Sequence, residues 1–166
     1  MMNHRLNDVL FNVAEETLEK LAFMFVSREY DREDIDYNSI VAASISFSGP
    51  FSGKLVLTIS TNSIPELSAN MLGVEEDETT PDQQDDALKE TLNVICGNIL
   101  PAIAGKKAVF NITAPFIVSG MENIKKAVEK ADGKGPSSVV RMEMDGEQCD
   151  IFLFIDGEIP EDFFND

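Results

Sequence analysis

The chain has no Trp, one His and two Cys, and only 13 of its 166 residues are Lys or Arg. His4, Cys96 and Cys149 lie far apart with no C-x-x-C spacing, which argues against a zinc site. No segment approaches the length of a membrane span. The start, MMNHRLNDVLFNV, lacks an apolar run followed by a cleavage-like site. The expectation is therefore a soluble cytoplasmic protein with reduced thiols. Positive charge is scarce: 30 Asp and Glu give a formal net charge of -17. Such a chain repels nucleic-acid backbones and anionic lipid surfaces, while a protein partner remains open to it. There is also no Ser/His/Asp or Cys/His arrangement, no P-loop and no dinucleotide-binding glycine pattern. Any catalysis must then work by positioning, with carboxylates and amides rather than a nucleophile.

Apolar residues make up 43% of the chain, 11 of them Phe, and the length suits one domain over residues 1–166. Leu6, Val9, Leu10, Val13, Leu18, Leu21 and Phe25 recur at helical spacing and predict a first helix from Leu6 to Phe25. The polar run Arg28 to Asn38 reads as a loop. Residues Ile40 to Ser60 form two apolar arms around SGPFSG, a hairpin signature. Ser63, Pro65 and Glu66 mark the start of a short helix ending near Gly73. After the acidic connection that begins VEEDE, Thr80 with Pro81 and Gln83 caps a second long helix, in which Pro101 predicts a kink or break before Gly105. An edge strand within Ala108 to Val118, a helix from Gly120 to Ala131 capped by Ser119 and Glu122, and a closing hairpin turning at Asp145-Gly146 complete the chain. Glu16-Thr17-Leu18-Glu19 in the first helix parallels Glu90-Thr91-Leu92-Asn93 in the later one. The expected fold class is α+β, built of internally duplicated helix-hairpin units with an antiparallel sheet packed against two long helices.

Within KETLNVICGN, residues 89–98, Glu90 and Asn93 share one helix face. Leu88, Leu92, Ile95 and Ile99 form the apolar stripe on another side. Gly97 sits one turn beyond Asn93, where a missing side chain lets another surface approach at about 1 kcal/mol relative to Ala. By spacing alone this is either a solvated polar face or a site made of one carboxylate and one amide. Glu16 and Glu19 read as a solvated helix face.

Glu90-Thr91-Leu92-Asn93-Val94-Ile95-Cys96-Gly97-Asn98 resembles the active helix of the CheC/CheX/FliY family of chemotaxis phosphatases. In that family a Glu and an Asn are separated by two residues. An acidic or small polar residue lies four before the Glu, here Asp86, and a Pro about twenty residues after the Asn, here Pro115. The layout is similar over the whole chain. The resemblance implies dephosphorylation of the phospho-aspartate of a CheY-like response regulator. Asn93 would orient the attacking water, Glu90 would engage a lysine of the regulator, and Asp86 and Gly97 would flank the docked partner. It implies no cofactor on this chain, with Mg²⁺ carried by the regulator. Because the first helix has Glu19 where the second has Asn93, the chain resembles the single-site, CheX-like members, which are typically dimers; a homodimer is expected on that ground alone. Two other functions stay open: a regulator-binding or structural signalling module without activity, and an acidic metal-binding helix using Asp82, Asp86 and Glu90.

Overall fold

A computed structural model describes residues 2–129 and 134–160. Helix α1, Met2–Ala22, buries Leu6, Leu10, Ala14, Leu18 and Ala22, one residue per turn. It stops three residues short of Phe25. Phe23 takes a left-handed conformation (φ 52), and its N–H and that of Met24 close on the Glu19 and Leu18 carbonyls. The chain then runs extended: Met24 and Val26 turn inward, and Phe23 and Phe25 turn outward, 72% and 68% exposed. The expected stripe residue Phe25 thus belongs to a period of two, not to the helix.

The predicted loop from Arg28 to Asn38 begins inside a strand. β1, Ser27–Arg28, pairs at the sheet edge with β6, Ser138–Met144. The rest of that segment is fastened by Arg32. Its guanidinium holds the fully buried Asp150 carboxylate in a two-pronged contact at 2.5 and 2.9 Å, and Arg141 approaches the same group at 3.4 Å.

Both hairpins form as expected. β2, Ile40–Ser48, pairs with β3, Ser52–Ser60, and β6 pairs with β7, Glu147–Asp156. Asp145 and Gly146 both have positive φ (53 and 80), as a two-residue type I′ turn demands. The predicted edge strand arrives as two pieces, β4 (Asn111–Ile112) and β5 (Phe116–Val118), both antiparallel to β2 with Pro115 between them. The sheet order is β1-β6-β7-β3-β2, with β4 and β5 both on the outer edge of β2.

Helix α2, Ile64–Leu72, ends at Gly73 in the left-handed region (φ 72). Its expected cap fails: the Ser63 side chain makes no capping bond, and the Ser60 hydroxyl instead accepts from the Asn62 N–H in a preceding 3₁₀ turn. Helix α4, Met121–Val128, follows Gly120 and likewise lacks the side-chain cap expected from Ser119; the Asn123 amide donates to the Ser119 carbonyl. Residues 130 and 131 of that predicted helix lie outside the described residues.

Helix α3, Pro81–Ala104, starts on a complete capping box. The Gln83 N–H donates to the Thr80 hydroxyl at 3.2 Å, and the Thr80 N–H to the Gln83 side chain at 3.0 Å. Pro101 does not break it; the helix continues to Ala104, where the Gly105 N–H closes on the Pro101 carbonyl at 2.8 Å.

Alternation along the strands sorts the core into two layers. Ala43, Ile45, Phe47, Leu55, Leu57 and Ile59 point toward α1 and α3, joining Leu10, Leu18, Leu88, Leu92, Ile95 and Ile99. Ala42, Val56, Phe152 and Phe154 point the other way, under Ile124 and Val128 of α4. Each fully buried Leu or Ile contributes roughly 1.5–3 kcal/mol. The mixed α+β fold is therefore an antiparallel sheet with two long helices on one face and a short helix on the other.

Candidate functional site

The site is built on α3. Its inner face (Leu88, Thr91, Leu92, Ile95, Cys96, Ile99 and Leu100) is buried, which fixes the rotation of the helix about its axis. Thr91 lies on the same face: its hydroxyl donates to the Ala87 carbonyl one turn back in α3 at 2.8 Å and lies 3.6 Å from the Met71 sulfur of α2. Asp86, Glu90, Asn93 and Gly97 recur at spacings of four, three and four, so they fall on one stripe, and all four are exposed. Among the described residues, no group hydrogen-bonds to the side chain of Glu90 or Asn93. Asp86 differs, forming an ion pair with Lys89 at 3.3 Å across one turn. Such exposed pairs are weak, so Asp86 remains available to a partner that offers a better cation.

Gly97 is not required by internal packing. A Cβ added there meets nothing within 4 Å. After Glu90 the chain has no Asp or Glu until Glu122, so the half of α3 that carries Asn93 presents no carboxylate of its own. Beside it, a groove of about 590 Å³ runs between the helices, lined by Val13, Thr17 and Leu21 of α1 and by Val94, Asn98 and Pro101 of α3. Cys96 lies on the inner side of the helix, and desolvation pushes its thiol up to about 12. It stays protonated and supplies no nucleophile.

The matching stretch of α1 shows the same alternation of environments. Thr17 and Leu18 are buried like Thr91 and Leu92, and Glu16 and Glu19 are exposed like Glu90 and Asn93. The chemistry differs. Glu16 is taken up by Lys20 at 2.5 Å within its own helix, and Glu19 puts a carboxylate where α3 has an amide. Asp82, Asp86 and Glu90 are all exposed on α3, yet among the described residues no three carboxylate, His or Cys groups are placed to hold a metal ion. Pro115, half-buried, separates β4 from β5. Sequence reasoning marks Pro101 only as a helix breaker; its place in the groove becomes visible only when α1 packs beside α3.

The chain thus carries an exposed Glu-x-x-Asn pair on a long helix packed across an antiparallel sheet. Residues 41–134, more than half of the chain, match the family described as chemotaxis phosphatase CheX, and the chain belongs to that family. Solved structures share its fold. The chemotaxis protein CheX from Vibrio vulnificus aligns at 16% identity over 91% of this chain and 96% of its own, with a TM-score of 0.68. A CheC-like superfamily protein from Shewanella sp. PV-4 aligns at 20% identity over 92% and 97%, TM-score 0.66. A CheX from Borrelia burgdorferi, solved as a complex with CheY, BeF₃ and Mg²⁺, aligns at 16% identity over 90% and 97%, TM-score 0.64. No curated protein sequence matches the chain. No helix among the described residues is long and apolar enough to cross a membrane.

Proposed function

We propose that this chain hydrolyses the phospho-aspartate of a CheY-like response regulator, using α3 to place a water for in-line attack. The observation that carries this is the pairing of Glu90 and Asn93 on one exposed stripe, without partners among the described residues, in a member of the CheX family. The Borrelia CheX bound to CheY with BeF₃ and Mg²⁺ supports a partner of that kind, with the metal on the regulator's side. In the proposed step a water oxygen forms a bond to phosphorus, and the acyl P–O bond breaks. The regulator's aspartate leaves as a carboxylate, and the proton of the water stays with the released phosphate.

An acyl phosphate is already activated, so what a partner must add is mainly orientation. The Asn93 amide can accept from the water or donate to it without bringing negative charge near the phosphoryl oxygens. Glu90, one turn away, supplies the carboxylate that a regulator lysine can grip. Dephosphorylation of a phosphorylated receiver domain, followed with and without this protein, tests the proposal; an unchanged decay rate overturns it.

Internal duplication is part of the same proposal. Exchanging β3 with β7 and β2 with β6 maps the central strand order onto itself, which supports pairing α1 with α3. On that basis the Glu16/Glu19 copy is the silent one and the site is single.

Gly97 gives a test with two readouts. Gly97→Ala is expected to stabilise the helix by about 1 kcal/mol, because nothing inside the protein opposes the methyl group. The same methyl projects into the proposed interface and should weaken regulator binding. A thermal melt paired with a binding titration should therefore move in opposite directions; a gain in both would remove Gly97 from the docking surface.

A further inference from the structure

Pro101 has no N–H, so the Gly97 carbonyl lacks its i+4 helical donor. Both residues are exposed, which places that carbonyl on the outer face of α3, one turn beyond Asn93. Inside a helix, Gly and Pro are the two least favourable residues. Neither is explained internally. A Cβ at Gly97 would meet nothing, and Pro101 does not serve as a stop, since the helix runs on to Ala104. Two unfavourable residues four apart therefore combine to make one feature, a main-chain acceptor with no side chain on its own residue to shield it. Residues 91–121 hold no Asp or Glu, and the charged residues lining the adjoining groove are Glu16, Lys20 and Lys106.

We infer that the Gly97 carbonyl, released by Pro101, accepts a hydrogen bond from an N–H donor of the docked regulator and strengthens its hold on α3. This rests on α3 being the regulator-binding helix. The carbonyl acts as a binding contact and does not touch the reacting phosphorus. The absent Cβ lets the donor come close, and the groove beside Pro101 leaves room for the element that carries it.

Pro101→Ala and Pro101→Val both restore the N–H, and the second also keeps bulk at the position. Affinity is measured for a receiver domain held active with BeF₃⁻ and Mg²⁺, beside turnover of the phosphorylated form and thermal melting. Both variants should melt at higher temperature and bind about two- to tenfold more weakly, the worth of one hydrogen bond, with kcat at saturating regulator unchanged. Unchanged affinity in both variants overturns the inference. So does a loss confined to Pro101→Ala, which would assign the effect to the ring's surface. If the natural chain neither binds nor dephosphorylates the regulator, the functional proposal itself has failed and this inference falls with it.

Discussion

Asn93→Ala should reduce the protein's acceleration of regulator dephosphorylation by about 100-fold or more, the scale set when a reacting group loses its alignment. Stability should not fall. Asn93 is exposed, has no partner among the described residues, and is replaced by the better helix former. Binding to an activated regulator should survive, because Glu90 and the rest of the stripe are intact. That separation distinguishes a water-orienting amide from a docking contact. The measurement is phosphate loss from the regulator at several concentrations of the variant, with a binding titration alongside. Activity persisting at saturation would remove Asn93 from the chemistry.

The second large effect lies on the opposite face of the sheet. Asp150→Ala should destabilise the fold by about 3 kcal/mol, because breaking a buried ion pair leaves its partners uncompensated. Asp150 is fully buried and accepts from both arms of Arg32, from Arg141, and from the Met142 N–H at 3.2 Å. The truncation strands that N–H and releases the segment that Arg32 fastens to β6 and β7. For a chain of this size the melting temperature should drop by about 10 °C. The Arg32→Ala, Asp150→Ala double variant should lose much less than the sum of the single losses, since each single change removes the same contact. Additive losses would show that the pair is not a coupled unit. Below its melting temperature, the Asp150 variant should retain turnover, because α3 packs on the other layer.

These two sites differ in how far the sequence exposed them. Glu90 and Asn93 are three residues apart on a helix announced by its capping box and by an unbroken apolar stripe, so a local pattern sufficed to put both on one face. The hairpins were legible for the same reason: Gly49-Pro50, Gly53 and Asp145-Gly146 are local instructions to turn, each set between two apolar arms. Asp150 and Arg32 are 118 positions apart. Nothing near Arg32 in the sequence distinguishes it from a solvated loop cation; only the pairing of β6 with β7 brings the carboxylate beneath it. Phe25 misled because one apolar residue fits a period of two as well as a period of 3.6. Ser63 and Ser119 misled because a capping residue type was present, but the helix began after a 3₁₀ turn in one case and after Gly120 in the other. The groove between α1 and α3 could not be read locally at all, since its walls are drawn from residues 13–21 and 94–106.

If α3 is the regulator-binding helix proposed above, its packing has a consequence for which regulators the protein can recognise. With the inner face packed and Thr91 in contact with Met71 of α2, Glu90 and Asn93 stand about 4.5 Å apart along an axis held by that packing. The helix is a fixed gauge. In the proposed complex it measures one separation, that between a regulator's lysine and its phospho-aspartate, and a receiver domain with a different separation should be a poorer substrate.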